Sequence, residues 1–259
     1  MLPRRDPRIS LGVASYHSPL VSGRMDLVGF LDEAVTLGFR TVELCDRTLS
    51  LDGLDAARKL LEQRDLDLGS VAIRNDFTTT DHGGHQLDHV LSWLEAVDEL
   101  GAPVARIWTG ATRTDAAAAE QVATCLHQVA KAAELLGVTA VVETHGGLSN
   151  DPDYLVPVLR DIDSPHLGVC IDFGNIPAEG RDAVVTRFVP HTAHVHVKTY
   201  EFDQSGRDTT VDVPRYAAEL HAAGFDGSWV IEYEGGPPHD DGVVRTVDLL
   251  TGTLPWLRS

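Results

Sequence analysis

The sequence predicts a single (β/α)8 barrel, a TIM barrel of the α/β class, as one domain over residues 1–259. Eight short β-rich runs alternate with longer segments of helical periodicity, which is the repeat of this architecture. Most of the runs are nearly continuous in apolar residues, a pattern typical of parallel strands buried on both faces. The length of 259 residues also agrees with the roughly 250 residues typical of such barrels.

The eight β-rich runs are the predicted strands, at residues 9–16, 41–46, 68–75, 104–110, 140–146, 167–174, 193–200 and 228–235. An open doubly wound sheet is the competing architecture. It normally has fewer strands, and its nucleotide-binding members carry a glycine-rich turn after the first strand. The first run here ends in SYHSPLVSG, which lacks that turn. The closed barrel is therefore favoured.

The segments between the strands are predicted to be helices. Apolar residues recur at three- and four-residue steps, as in residues 87–97 and 122–136, which indicates helices with one face on the barrel. A glycine follows several of these segments, and glycine accepts the left-handed backbone that ends a helix because it has no Cβ. The predicted helix ends are Gly38, Gly101, Gly137 and Gly224.

Composition excludes several classes of function. The chain carries 21 Lys+Arg against 39 Asp+Glu, a formal charge of −18, which argues against nucleic-acid binding and against a polybasic membrane surface. No apolar run reaches the roughly 18 residues of a membrane span, and MLPRRDPRIS has no apolar block typical of a secretory signal. The three cysteines, Cys45, Cys125 and Cys170, are predicted to be small buried hydrophobes in a protein of the reducing cytoplasm.

Ionisable side chains end the last four predicted strands. Active sites of such barrels form at the carboxyl ends of the strands, and side chains two residues apart share a face. Several carboxylates buried in one mouth are costly, and a divalent cation is the simplest compensation. Two carboxylates, a histidine and a third carboxylate from strands five to eight would suit Mn²⁺, Mg²⁺ or Co²⁺, with Zn²⁺ also open. The candidates are Glu143, His145, Asp172, His194, His196, Lys198, Glu232 and Glu234.

The runs AVVETHGG, GVCIDFGN, HVHVK and VIEYEG, in this order and spacing, resemble the xylose isomerase-like TIM barrels. That family includes sugar-phosphate isomerases and epimerases, ketose 3-epimerases, inosose dehydratases and endonuclease-type members. The resemblance implies one divalent cation, most simply Mn²⁺, held by Glu143, Asp172, His196 and Glu232. It also implies that Glu143 and Glu232 are the catalytic residues that move the proton. His194 is left for contacts to the substrate or to a ligand.

The chain departs from the ketose-epimerase pattern at three positions that carry a histidine, a glutamate and an arginine in those enzymes. Here they are Asn175, Ser149 and Phe202. The metal platform is thus better supported than 3-epimerisation of a free ketose. The predicted function is a metal-dependent sugar or cyclitol isomerase or epimerase that acts through a metal-stabilised enediolate. The alternatives are a keto-cyclitol or keto-sugar dehydratase on the same site, an endonuclease-type member, and a sugar-binding barrel without catalysis.

A wider set of mouth residues is predicted to contact the substrate: His145, Asn175, His194, Lys198, Arg106, Trp108, Glu43 and His17. Packing is the alternative role for Trp108, and ion pairing is the alternative for Lys198 and for Glu43, the latter with Arg74 or Arg106. His82, His85 and His89 are interpreted as a loop and an exposed helix start rather than a second metal site. The C-terminal TVDLLTGTLPWLRS has an apolar face that can pack on the barrel or on a second subunit, so a homo-oligomer stays open.

Overall fold

A computed structural model describes residues 2, 4–79 and 84–258, and in it eight parallel strands close into a barrel in chain order. The predicted TIM barrel is confirmed. The strands are β1 (Ile9–Gly12), β2 (Thr41–Cys45), β3 (Asp67–Ala72), β4 (Val104–Ile107), β5 (Thr139–Glu143), β6 (Leu167–Asp172), β7 (Thr192–Thr199) and β8 (Ser228–Tyr233). The barrel closes where Ser10 of β1 pairs with Val230 of β8.

Helices connect successive strands and cover the outside of the barrel. They are α1 (His17–Val21), α2 (Leu27–Thr36), α3 (Leu54–Glu62), α4 (Gly84–Glu99), α5 (Ala116–Leu136), α6 (Pro152–Ile162), α7 (Arg181–Phe188), α8 (Val213–Ala222) and α9 (His239–Thr253). Short 3₁₀ turns lie between several of them, including Val13–Tyr16 after β1. Among the described residues, no helix combines the length and the apolar character needed to cross a bilayer.

The hydrophobic core lies between the outer face of the strands and the helices. Fully buried strand residues such as Val42, Val142, Ile171, Val195 and Ile231 point outward into it. The alternate residues point into the barrel, and on β5 to β8 these are mostly polar. The two-residue period of the strands therefore separates an apolar layer from an ionisable interior.

Seven of the eight strands are shorter than the sequence predicts, and β7 has the predicted eight residues. The first predicted strand, 9–16, ends at Gly12, because the next four residues turn toward β8. In that turn the Ser15 hydroxyl donates to the Ile231 carbonyl and accepts from the Tyr233 amide, each at 3.0 Å. Trp108 and His145, predicted on strands, lie just beyond the ends of β4 and β5.

The C-terminal segment packs on the barrel of its own chain. Leu250, Leu254 and Leu257 are buried in the core, and the Trp256 ring lies 3.9 Å from the His221 ring, centroid to centroid. Trp256 keeps 40% of its surface exposed. The apolar face that the sequence indicates is thus mainly a contact within the chain.

Candidate metal centre

Four acidic and imidazole side chains meet inside the carboxyl end of the barrel. The strand register places Asp172 beside His196 and Lys198 beside Glu232. One ligand atom from each of Glu143, Asp172, His196 and Glu232 lies within 4.8 Å of the others, and all four side chains are buried. The structure therefore brings together the four residues predicted as ligands.

Carboxylates lie beside both ring nitrogens of His196. Its Nδ1 is 3.1 Å from Glu143 Oε1 and 3.2 Å from Glu232 Oε1. Its Nε2 is 3.3 Å from Oε2 of Glu43. Both glutamates from β5 and β8 thus turn one oxygen toward the same point, where Nδ1 supplies a nitrogen donor.

Asp172 is fixed by its own strand end and by Lys198. Its Oδ1 accepts the backbone N–H groups of Gly174 at 2.8 Å and Asn175 at 3.2 Å. Its Oδ2 lies 2.8 Å from Lys198 Nζ. Burial raises the pKa of Asp172 to about 7. Lys198 lowers this pKa, and the nearby Glu232 and Glu143 carboxylates raise it further. Gly174 is required here, because a Cβ on it would lie 2.8 Å from the Lys198 side chain.

The charges in this interior do not balance by themselves. Four buried carboxylates face two buried cations, so the net charge is −2 when every carboxylate is ionised and His196 is neutral. The carboxylates are those of Glu43, Glu143, Asp172 and Glu232, and the cations are Arg106 and Lys198. Burial lowers the pKa of His196, but surrounding groups that include Glu232 and Glu43 raise it well above its usual value. The field that holds a proton there also attracts a dication, which would bring the net charge to zero. Three oxygens and one imidazole nitrogen are a donor set suited to Mn²⁺ or Mg²⁺, so the residues present fit a divalent cation.

Glu43 lies below His196, across the barrel on β2. Its Oε2 accepts the Ser70 hydroxyl at 2.7 Å and lies 3.5 Å from His194 Nε2. Burial would raise the pKa of Glu43, but His196 and His194 hold it well below the usual value. Of the two alternative partners that the sequence left open for Glu43, Arg74 instead pairs with Asp46 at 3.1 Å.

His194 lies one step deeper in the barrel than His196 and is fully buried. Neither ring nitrogen has a hydrogen-bond partner in the part of the chain that the structure describes. Burial lowers the pKa of His194 below its usual value, against the opposing effect of Glu43. Its substrate contact stays a prediction.

An aromatic wall flanks Glu143. The Trp108 ring stacks on the His145 ring with centroids 4.1 Å apart and planes 10° apart. Trp108 Nε1–H donates to Glu143 Oε2, and the Arg106 guanidinium lies 3.4 Å from the same oxygen. Trp108 therefore orients the carboxylate of Glu143, a candidate catalytic residue, and also forms part of the wall of the site. Asn175 reaches the same corner, with Nδ2 2.8 Å from His145 Nδ1.

The centre opens into a cavity of about 1530 Å³. Glu43, Glu143, Glu232 and Lys198 line its deep end. His17, predicted at the end of the first strand, begins α1 and lies exposed at the rim. Lys198 meets three carboxylates at 2.8–3.1 Å, from Asp172, Glu232 and Glu234. This matches the ion-pairing role that the sequence left open for it.

Two residues near the centre do not feature in the sequence-based site. Ser70 binds Glu43, and the Cys170 thiol lies close enough to His196 to influence its pKa. The signal for Ser70 was a single hydroxyl in the apolar run LGSVAI. Cys170 is buried as predicted, but Cys45 is only partly buried and lines the cavity.

The histidine group at the start of α4 faces the same cavity. His89 Nε2 is 3.1 Å from Asp46 Oδ2, and His85 is an exposed lining residue. His82 lies outside the described residues. The exposed helix start that the sequence indicates agrees with these positions.

Comparison with known proteins decides the family. A family model described as xylose isomerase-like TIM barrel matches residues 31–253. The chain belongs to the xylose isomerase-like TIM barrel family. A curated relative of this xylose isomerase-like barrel is the C-glycoside deglycosidase alpha subunit of Arthrobacter globiformis. It is 32% identical over 62 residues, which is 24% of this chain and 18% of that protein.

Solved structures share the fold of this xylose isomerase-like barrel at low identity. A family member from Mycobacterium smegmatis in complex with magnesium has a TM-score of 0.76 at 15% identity, covering 99% of this chain and 100% of that one. The 3-keto-D-glucoside 4-epimerase of E. coli has a TM-score of 0.72 at 15% identity, covering 96% and 98%. The probable 3-DHS dehydratase of Bacillus anthracis has a TM-score of 0.72 at 14% identity, covering 93% and 98%. One of these three neighbours is an epimerase and one a probable dehydratase, and at these identities the likeness shows a shared fold.

Proposed function

We propose that the chain is a single-domain, divalent-metal-dependent isomerase or epimerase of a sugar or cyclitol. The observation that carries the proposal is the meeting of Glu143, Asp172, His196 and Glu232 in one buried, net-negative mouth. Mn²⁺ is the preferred cation, because the oxygen-rich set includes one imidazole. The magnesium complex of a structural neighbour supports a dication of this kind.

The glutamates are assigned the proton transfer. A bound dication supplies Lewis acidity toward the carbonyl and hydroxyl oxygens of the substrate. Glu143 and Glu232 approach from β5 and β8, and each has a second oxygen held by a cation, Arg106 or Lys198. Arg106 keeps the pKa of Glu143 low in spite of burial, so this carboxylate is ionised and ready to accept a proton. Return of the proton by the other glutamate gives epimerisation, and return to the neighbouring carbon gives isomerisation.

A neutral substrate fits the charges of the mouth. Arg106 and Lys198 each lie beside buried carboxylates, which offset their charges. The 3-keto-D-glucoside 4-epimerase among the structural neighbours supports a sugar as the substrate. Three free cysteines also suit a reducing cytoplasm.

A dehydratase on the same site is the second candidate. Loss of a hydroxyl next to the deprotonated carbon needs an additional acid to protonate the leaving oxygen. His145 lies at the mouth with 38% of its side chain exposed and its Nδ1 3.3 Å from Glu143 Oε2. This third proton-carrying group favours a lyase as the alternative.

The test is incubation of the Mn²⁺-loaded protein in D₂O with a panel of ketoses and keto-cyclitols. Deuterium incorporation seen by NMR indicates proton exchange, and a new ultraviolet-absorbing enone indicates dehydration. We expect Glu143→Gln and Glu232→Gln each to abolish turnover, since each removes a proton carrier and a negative charge. Glu201→Gln, an exposed change after β7, is the matched control and keeps full activity. Full activity after chelation, or in both site variants, would refute the proposal.

A further inference from the structure

The cavity above the metal centre is larger than a simple sugar needs. Its volume of about 1530 Å³ exceeds the roughly 300–1,000 Å³ of ordinary small-molecule sites. Of the four candidate ligands, only Glu143 and Glu232 line this cavity. A sugar ring held there by its oxygens would leave most of the outer volume unfilled.

One wall of the outer volume is apolar. Four apolar residues form it, from α1, the turn after α1 and the start of α2, here called the α1 wall: Leu20, Val21, Met25 and Leu27. The same segment also lines the cavity with the polar residues His17, Ser18 and Asp26. Leu20, Met25 and Leu27 pack against the hydrophobic core on one side and are only partly buried. Val21 is more exposed than these three residues, with 67% of its surface accessible to solvent. An apolar surface that faces the cavity of a polar site gains free energy when a ligand removes it from water.

The position of the α1 wall ties it to the site rather than to the outer surface of the barrel. The preceding 3₁₀ turn, Val13–Tyr16, contacts both β8 and β2. Glu232 on β8 and Glu43 on β2 line the same cavity as Leu20 and Val21. A single ligand can therefore touch the polar centre and the α1 wall together.

We propose that the α1 wall is a subsite for an apolar group attached to the sugar, so that the substrate is a glycoside or keto-glycoside rather than a free monosaccharide. This inference rests on the proposed function. The sugar oxygens face the metal centre, and a flat or aliphatic aglycone covers Val21 and its neighbours. Affinity from the aglycone is hydrophobic and independent of the charges that bind the sugar.

Calorimetric binding to the Mn²⁺-loaded protein tests the proposal. The probes are pairs of phenyl and methyl glycosides of glucose and galactose, in both anomeric forms. We expect the phenyl member of at least one pair to bind about tenfold more tightly, the effect of partly burying one ring. Val21→Asp abolishes that preference, since it places a charge on the wall at an exposed position where folding tolerates it. Leu135→Asp is the matched control, because Leu135 is 80% exposed on α5 and does not line the cavity.

Each alternative outcome overturns the inference. Equal affinities within every pair, or no measurable binding of any phenyl glycoside, would show that the wall holds no aglycone. A preference that survives Val21→Asp would place the phenyl group elsewhere. If Val21→Asp instead dissociates an oligomer in sedimentation and leaves the preference intact, the wall is an interface between copies. Mn²⁺ binding is followed separately by electron paramagnetic resonance. A protein that does not bind Mn²⁺ contradicts the proposed metal centre, whereas a protein that binds Mn²⁺ without preferring phenyl glycosides contradicts only the subsite.

Discussion

At the scale of single residues, Glu43 has the position of a group that orients a metal ligand. A histidine that binds a metal through one nitrogen usually donates its other N–H to a carboxylate or carbonyl, which fixes the ring and its tautomer. His196 turns Nδ1 to the carboxylates of β5 and β8, and its Nε2 is 3.3 Å from Glu43. The Ser70 hydroxyl holds Glu43 in turn at 2.7 Å. We therefore propose that Glu43 positions His196 from outside the set of Glu143, Asp172, His196 and Glu232, although the ligand atoms of Glu43, His194 and His196 also lie within 4.8 Å of one another.

We expect Glu43→Gln to weaken Mn²⁺ binding by about 10- to 100-fold, the usual effect of losing such a partner. The amide removes the negative charge that makes the His196 ring a stronger donor. A chelating dye in competition gives the dissociation constant, and circular dichroism checks that the variant is folded. Ser70→Ala keeps the charge of Glu43 and should cost less. A folded Glu43→Gln protein with wild-type affinity would show that Glu43 has no part in positioning the ligand.

The three thiols should differ in reactivity, because the thiolate is the nucleophile. Burial raises the pKa of Cys125 to about 11 and that of Cys170 to about 12. Cys45 is partly buried and lines the cavity. Iodoacetamide at about pH 8 should therefore modify the native protein first at Cys45. Peptide mass mapping identifies the modified cysteine, and the Cys45→Ser variant should remain almost unmodified. Early labelling of Cys170 would contradict the burial of that thiol.

At the scale of elements, one carboxylate joins two loops of the barrel mouth. Asp76, after β3, accepts the backbone N–H of Thr78 at 2.8 Å and of Thr112, after β4, at 3.3 Å, and it accepts both threonine hydroxyls. Gly110 has a φ of +94°, and a Cβ on it would come within 1.8 Å of Asp76 Oδ1. Glycine is thus required where the β4 loop passes this carboxylate.

Asp76→Asn should destabilise the protein by about 1–2 kcal/mol near pH 7, since the amide replaces a charged acceptor of several hydrogen bonds. Burial raises the pKa of Asp76, but the bonds from Thr112 and Thr78 outweigh it and hold the pKa below its usual value. A carboxyl group whose pKa is lowered in the native state stabilises the fold at pH values above its ordinary pKa. This contribution is lost as the pH falls through the pKa of the folded state. The difference between variant and wild type should therefore narrow from about pH 7 to about pH 3. Urea unfolding measures it, with the exposed Asp98→Asn as control; a gap that is constant with pH would contradict the assignment.

Elements also show what sequence can predict and why. The four glycines expected to end helices, Gly38, Gly101, Gly137 and Gly224, have φ between +71° and +88°. Their prediction succeeds because a helix end is decided by local chain sterics. Strand ends were predicted too long, because pairing with neighbouring strands decides them. The first run stops at Gly12 where the chain turns to contact β8.

The candidate site divides in the same way. Closure of the barrel and the two-residue period predict that ionisable side chains from β5 to β8 meet, and the family resemblance selects Glu143, Asp172, His196 and Glu232 among them. The contact of Glu43 with His196 depends on the depth of each side chain in the barrel. That depth is altered by register shifts between Val42 and Glu43 and between Val169 and Cys170. Such irregularities arise from packing of whole strands, and no local signal in the sequence reveals them.

At the scale of the whole molecule, the buried charges of the candidate metal centre affect the stability of the fold. A chain of net charge −18 closes its barrel around an interior in which four buried carboxylates face two buried basic side chains, Arg106 and Lys198. Burial raises the pKa of Asp172 to about 7. The native protein therefore binds this proton more tightly than the unfolded chain does, and the stability of the metal-free protein falls as pH rises through the window up to about 7. Metal-free protein at neutral pH is thus held below the stability that its packing allows.

A dication should restore that stability. At free Mn²⁺ about 100 times its dissociation constant, binding adds about 2.7 kcal/mol, and at roughly 2–4 °C per kcal/mol the Tm rises by about 5–10 °C. Asp172→Asn removes one ligand and the buried charge, so the metal-free variant should melt above metal-free wild type at about pH 8 and respond little to Mn²⁺. Glu201→Gln, outside the centre, should respond as wild type does. Differential scanning calorimetry with and without Mn²⁺ measures these shifts. An equal rise in Tm for Asp172→Asn would mean that the ion binds elsewhere on the acidic surface, and the barrel mouth would then have to offset its buried charge by some other means.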